Sequence, residues 1–548
     1  MTIRTLGTLG TAVVALLLLP ACGTPPPEHS TRAESFRQDQ KLAKGNRVSM
    51  LPIVPQRGNI VDRNGVVLAR NSVAHSSAGV DMQAKQFRDY PNGALGSHLV
   101  GYISRISNHD AEEIEERGET ANYRGSMHIG KSGVEAFYEA HLHGVTGVEH
   151  VELAADGKVV RSLKSEQAIP GKDIELSVDI KLQETAEAAF GKQRGGLVAI
   201  DPSTGEVLAL VSMPTFDPNL LVDDISDQNW EKLNASPDKP LFNRAVASAY
   251  PPGSTIKPFM ALAGLNSGKR TLTYKMDDTG GFAYGGHYFK DSKKDGHGSV
   301  DVHKSIVVSC NTFYYLLAND LGIDAITDFI GQFGLGSLTG IDIPGEQKGV
   351  LPSTAWKRQH FARQGPEYQK WYGGETIPVG IGQGYNAYTP VQMASAIATI
   401  ANDGKRMRPR VLRAVVDSQG QRQEVLPELV MEVKSAPEYI TAVQRALADA
   451  VRFGTASRAF AGAPYRAAGK TGTAQVYLLR GGQYNKSGER DHSWFIAYAP
   501  VEKPKIALAV MVEDDGSDEV SAAPIARQVI DAFLHKKHAV NLLGVSLK

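Results

Sequence analysis

Two cysteines, Cys22 and Cys310, are all that the 548-residue sequence contains. A fold held by several disulfides is thereby excluded, and once Cys22 is lipidated or removed Cys310 has no partner. Charge of one sign is also missing. Lys plus Arg number 59 and Asp plus Glu number 59, so the formal net charge is zero. No long single-sign run occurs, which excludes nucleic-acid binding through a broadly basic surface. The apolar stretch at residues 12–19 falls short of the ~20 residues that a membrane-crossing helix needs. No segment of 20–50 residues repeats, which excludes solenoids and propellers. What remains is ordinary globular composition, 42% hydrophobic and 22% charged. The length suits two or three domains with sizeable cores.

The first 22 residues read as a targeting segment, with one Arg, the apolar stretch, then Leu19-Pro20-Ala21-Cys22. This ending resembles a bacterial lipobox, which implies a lipid on Cys22. A conventionally cleaved or uncleaved signal is the alternative, and under either the body lies outside the cytoplasm. Residues 23–45 are polar and carry Pro25-Pro26-Pro27, a composition suited to a tether.

From Asn46 to Lys172 the pattern is mixed. An apolar run meets the turn Arg63-Asn64-Gly65, a hairpin signal. A pattern change at Pro170-Gly171 marks a boundary, giving domains 46–172 and 173–548. The second begins with a strand and an amphipathic helix, then a hairpin around Pro202-Ser203-Thr204-Gly205. Residues 276–298 form a Gly-, Asp- and Lys-rich loop. Residues 300–322 read as one long helical region containing Ser309. Thr389-Pro390 opens another helix, stopped at Gly404. Three strands and a closing helix end the chain. Helices around an antiparallel sheet predict an α+β sandwich.

Residues 250–259 read YPPGSTIKPF. A Pro-Pro-Gly turn leads into a helix start where Ser254 and Lys257, three apart, share a face. A Ser hydroxyl attacks only when a base takes its proton, and a Lys is a base only when burial or a neighbouring cation lowers its pKa. Ser236 and Lys239 have the same spacing, in a polar loop, so spacing alone decides nothing. The other parts arrive later: Ser309-Cys310-Asn311, the only Ser-x-Asn, and Lys470-Thr471-Gly472, the only Lys-Thr-Gly, opening a strand that continues to Thr473. Three elements in this order, each in fitting local structure, form the set found in β-lactamases and penicillin-binding proteins. Near them, Asp278, Asp291, His297 and Cys310 could close a four-ligand zinc site, with Asp277 or Asp295 as substitutes for a carboxylate. The plain alternative is a solvated loop beside a small buried Cys.

On these motifs the chain resembles the penicillin-recognising serine transpeptidases from Asp173 to about residue 534. QRGNIVDRNG and SGVEAFYEAHLHGVTG resemble the N-terminal module of class B penicillin-binding proteins. GHGSVDVHKSIVVSCNTFYY, WYGGE and TIPVGIGQGY are most similar to the elongation type. The resemblance implies a smaller, elongated β-rich module ahead of the transpeptidase fold. It implies a D,D-transpeptidase that cross-links peptidoglycan stem peptides and is acylated by β-lactams, with a D,D-carboxypeptidase or a β-lactam-binding sensor or scaffold as the alternative. Ser254 would be the nucleophile and Lys257 its base. Ser309 and Lys470 would relay the proton, Asn311 would hold the substrate amide, and Thr471, Gly472 and Thr473 would bind the terminal carboxylate. Members of the group carry structural zinc on Asp, Asp, His and Cys at matching places. The implied partners are a SEDS-type glycosyltransferase and elongation-complex scaffold proteins. Between Val80 and Gly101, however, there is little room for the family's usual head region, the part that meets those partners.

Overall fold

The computed structural model describes residues 46–74, 85–223, 225–474, 477–480, 483–486, 491–513 and 522–542. The targeting segment, with Cys22, lies outside them. The chain divides into two units, one containing residues up to 51 together with 149–165, the other containing the remainder.

The smaller unit is built on a three-stranded sheet in the order Arg47–Ile53, Gly147–Leu153, Val159–Glu166. Buried Glu152 accepts from Asn46 Nδ2 and Arg161 Nε, both at 2.7 Å.

The larger unit is organised by a five-stranded antiparallel sheet. Its order is Val207–Met213, Gly195–Ile200, Ile506–Val512, His492–Ala499, Ala468–Ala474. Side chains alternate between two faces, as strand geometry requires. Phe495, Leu508 and Val510 join one apolar cluster with the helices Ile180–Phe190 and Ala522–Leu542. Trp494, Ile496, Ala509 and Met511 join the other, with the helix Pro390–Ala401. Both faces are covered, so these strands read as near-continuous apolar runs. The sandwich expected from the sequence is the fold observed. Ala468–Ala474, which carries Lys470, is an edge of this sheet, so one side of its backbone is left for something other than a neighbouring strand.

A second, six-stranded sheet runs Arg422–Glu424, Leu412–Val416, Asp173–Leu176, Ile60–Val61, Val67–Ala74, Lys85–Asp89. Asp173–Leu176 pairs parallel with Ile60–Val61 and antiparallel with Leu412–Val416. Beside it, buried Glu135 accepts from Arg57 Nε at 2.8 Å, Arg88 Nε at 2.7 Å and Tyr90 Oη at 3.2 Å. Among the described residues no helix is long and apolar enough to cross a membrane.

Two expectations change in detail. The helical region around Ser309 is two helices, Val302–Val307 and Asn311–Leu321, because Ser309 is left-handed at φ 59°. A left-handed residue cannot continue a right-handed helix, and outside Gly it is uncommon. The loop 276–298 folds as two nested hairpins. Lys275–Asp278 pairs with Gly298–Asp301, and Gly281–Tyr284 pairs with His287–Lys290.

Candidate active site

Ser254 lies in a 3₁₀ turn, Gly253–Ile256, that leads directly into the helix Lys257–Asn266. The turn is packed against the edge strand. Gly253 has φ 54°, and a Cβ there would collide with the Thr473 carbonyl. A Cβ on Gly472 would stand 2.8 Å from Pro252 O and from Thr255 Cγ2, also too close for any other residue. Only Gly lets the two backbones approach this far. The Lys-Thr-Gly strand and the Ser turn, over 200 residues apart in sequence, are thereby fixed to one another.

Lys257 is wholly buried. Its Nζ donates to Ser309 O at 2.7 Å, Ser309 Oγ at 3.1 Å and Asn311 Oδ1 at 2.7 Å. The Tyr314 ring lies beneath it, 5.6 Å away. Lys470, equally buried, donates from Nζ to Ser309 Oγ at 2.9 Å and to Thr471 O at 3.0 Å. The left-handed turn at Ser309 is what offers both its carbonyl and its hydroxyl to these amines. Burial pushes the Lys257 ammonium down to about 7, although Asp291 and Cys310 act in the opposite sense. Burial and the neighbouring Lys257 charge hold Lys470 well below the ordinary lysine value. Among the described residues the Ser254 hydroxyl makes no hydrogen bond, so the Lys257 contacts run to the Ser-x-Asn motif and not to Ser254.

Ser254, Ser309, Asn311, Thr471, Gly472 and Thr473 all line one cleft of about 760 Å³. The sequence-predicted residues thus converge, and the twin pair does not. Lys239 N donates to Ser236 O at 3.0 Å and Ser236 Oγ accepts from Asp238 N at 3.3 Å, a polar turn. Residues that no sequence signal marked also line the cleft. Thr455 Oγ1 is 2.7 Å from Thr471 Oγ1. Gln383 Nε2 donates to Thr473 O at 3.4 Å. Tyr288, Phe289 and Lys290 come from the inner hairpin. Thr455 carries no period or motif, and Gln383 lies within the TIPVGIGQGY stretch without a residue type that marks a role, so neither stands out in the sequence.

Behind the Ser-x-Asn motif, Asp278, Asp291, His297 and Cys310 bring one donor atom each to within 4.8 Å of one another. His297 Nδ1 is 2.8 Å from Asp278 Oδ2 and 3.4 Å from Asp291 Oδ1. Cys310 Sγ is 3.5 Å from Asp278 Oδ2 and 3.4 Å from Asp291 Oδ2. Burial raises Asp278, but hydrogen bonds from Thr312, Gly280 and His297 outweigh it and bring the carboxyl to about 2. Two buried carboxylates, a thiol and one imidazole at such separations fit a divalent ion. Tetrahedral zinc with bonds of ~2.0–2.3 Å puts its ligand atoms at similar spacings. Asp277 and Asp295 are exposed and stand outside the cluster.

Two family models match the chain: the penicillin binding protein transpeptidase domain over residues 195–531 and the penicillin-binding protein dimerisation domain over residues 72–176. Peptidoglycan D,D-transpeptidase MrdA of Escherichia coli strain K12 is 38% identical over 574 aligned positions, covering 91% of this chain and 89% of that protein. The crystal structure of Pseudomonas aeruginosa PBP2 in complex with WCK 5153 is 39% identical with a TM-score of 0.76, covering 89% of this chain and 98% of that one. Helicobacter pylori PBP2 in complex with MreC is 25% identical with a TM-score of 0.75, covering 90% and 100%.

Proposed function

Because the chain belongs to the penicillin-binding protein transpeptidase family and is a peptidoglycan D,D-transpeptidase, we propose that Ser254 is its acylated nucleophile and Lys257 the general base. The observation that carries this reading is the meeting of two wholly buried amines on the Ser309 hydroxyl, in the cleft that Ser254 lines. With its pKa near neutrality, Lys257 is available as a free amine to take the Ser254 proton. Ser254 Oγ attacks the penultimate D-Ala carbonyl, the bond to the terminal D-Ala breaks, and the proton that Lys257 took is relayed through Ser309 and Lys470 to the leaving amine, which returns Lys257 to its free form. Asn311 orients the substrate amide and holds Lys257. Thr471 and Thr473 hold the donor's terminal carboxylate. The N–H groups of Ser254 and Thr473 stabilise the oxyanion. An amine from a second stem peptide then resolves the ester and forms the cross-link. β-Lactams acylate the same Ser254.

Residues 46–172 act as the non-catalytic module and 173–548 as the transpeptidase domain. Asp278, Asp291, His297 and Cys310 hold zinc in a structural role. When bound, the ion ties the hairpins to the start of the helix Asn311–Leu321; the acyl transfer itself needs no cofactor. The protein works at the periplasmic face of the inner membrane in cell-wall elongation, anchored through its N-terminus with Cys22 as the lipid site. Its partners are a SEDS-type glycosyltransferase and a scaffold of the MreC kind, the latter supported by the likeness to the H. pylori complex.

Labelling with a fluorescent penicillin tests the assignment. The wild-type protein takes one label and Ser254→Ala takes none; a labelled Ser254→Ala protein would refute the nucleophile.

A further inference from the structure

The cleft has two walls of different character. One is the sheet edge, with Thr471, Gly472 and Thr473 and with Thr455 beside them. The other is the inner hairpin, contributing Tyr288, Phe289 and Lys290, followed by Asp291 and Ser292. Acylation as assigned above uses the first wall for the donor and gives the second nothing to do.

The second wall is nonetheless well supported. Phe289 packs against Tyr315 with ring centroids 5.5 Å apart, and Tyr315 Oη donates to Lys290 O at 3.3 Å. At the far end of the hairpin, Tyr284 Oη lies so close to Gly373 that a Cβ there would meet it. Tyr288 crosses Gly281 on the paired strand in the same way, yet is 57% exposed. Rigid backing with an exposed face is what a subsite requires, since preorganised groups lose less freedom on binding.

Charge singles out one residue. The cleft is lined by two charged side chains among the described residues, Lys290 and Asp291. Asp291 is committed: its Oδ2 accepts from Thr312 N at 2.7 Å and Thr312 Oγ1 at 3.0 Å. Lys290 is exposed and makes no ion pair among the described residues. An unpaired cation on the wall the donor does not use suits an anionic group of the other substrate.

We propose that Lys290, with Tyr288 beside it, forms the acceptor subsite and reads a carboxylate adjacent to the attacking amine. The inference rests on Ser254 as the acylated residue. In the step it serves, the acceptor nitrogen attacks the acyl carbonyl. The new C–N bond forms, the ester bond to Ser254 Oγ breaks, and the amine proton passes through Lys257 to Oγ. A fixed cation near the acceptor also disfavours the ammonium form of its amine, leaving more of it as the nucleophilic free base. An acceptor without the carboxylate would meet that cation with nothing to pair it.

The test uses the intact protein and a thioester analogue of an acyl-D-alanyl-D-alanine donor. Two acceptors are compared, mono-N-acetyl-diaminopimelate and Nα-acetyl-lysine, which differ by the carboxylate beside the reacting amine. The wild-type protein should favour the first in aminolysis by at least about tenfold. Lys290→Gln should raise the acceptor KM for it about tenfold and move the value for Nα-acetyl-lysine little, and Lys290→Arg should restore the preference. Equal use of both acceptors by the wild type, or a full preference retained in Lys290→Gln, overturns the inference. Penicillin labelling of the same samples separates the two levels: labelled protein without a preference removes only the Lys290 assignment, whereas unlabelled wild type removes the Ser254 assignment and this one with it.

Discussion

Lys257 and Lys470 donate to the same oxygen, the Ser309 hydroxyl, at 3.1 and 2.9 Å. Both are wholly buried. Two ammonium groups so close and so dry cannot both hold a proton cheaply, because burial and like charge each favour the neutral form. The arrangement supplies a free amine near neutral pH.

The pH dependence of acylation follows with a definite sign. Lys257 stands at about 7, and below that value its amine is protonated and cannot accept the Ser254 proton. The rate of penicillin acylation should fall close to tenfold per unit below pH ~7 and level off above it. Stopped-flow acylation between pH 5 and 9 measures this. A rate still climbing steeply at pH 9 would mean an ordinary lysine and would sink the assignment.

Lys470→Ala removes the second donor to Ser309 Oγ. Loss of one member of a proton relay typically costs ~10²–10⁴-fold, so acylation should slow by that order while the protein keeps its fold. Circular dichroism and labelling kinetics on one preparation check both halves. A wild-type rate in this variant would leave Lys470 without a catalytic part.

Gly253→Ala should be far more damaging than its size suggests. The position has φ 54°, and a Cβ would strike the Thr473 carbonyl, so the Ser254 turn and the edge strand must separate. A misplacement of ~1 Å can cost ~10²-fold in rate. Acylation should drop at least that much. An Ala variant acylated at the wild-type rate would show that the close approach is unnecessary.

Metal content should depend on Cys310. Purified wild-type protein should carry about one zinc, and Cys310→Ser much less. A chelator should lower Tm in the wild type and leave Cys310→Ser nearly unmoved, since a ligand that binds only the folded state at ~100 times its Kd adds ~2.7 kcal/mol. Equal zinc in both proteins would count against the site.

Glu135→Ala leaves Arg57 and Arg88 without the buried carboxylate that they share. Breaking a buried pair from one side costs roughly 3–5 kcal/mol. Chemical denaturation should show the loss. Labelling per folded molecule should persist, because Glu135 lies far along the chain from the Ser254 turn and lines no part of the cleft.

The strands were legible where both faces are apolar, as in Ile506–Val512, and the helix Pro390–Ala401 where Thr389 caps it and Pro390 opens it. The break at Ser309 was not legible. Apolar residues recur across 300–322 as in one helix, and the left-handed residue inside is a Ser, which announces no such conformation. The inner hairpin was hidden likewise, because its Gly-, Asp- and Lys-rich composition reads as loop.

Read alone, the sequence singles out Ser254, Lys257, Ser309, Asn311 and Lys470 as the candidate set, from residue type, order and local context. Tertiary structure alone decided what those side chains touch. The Lys257 amine is turned to Ser309 and Asn311, and Asp278 and Asp291 join His297 and Cys310 while Asp277 and Asp295 stay outside. Thr455, Gln383 and Lys290 are brought to the same cleft. The physical reason is range: these contacts span tens to hundreds of residues and depend on sheet register, one left-handed turn and two glycine approaches, none of which has a local period to be read.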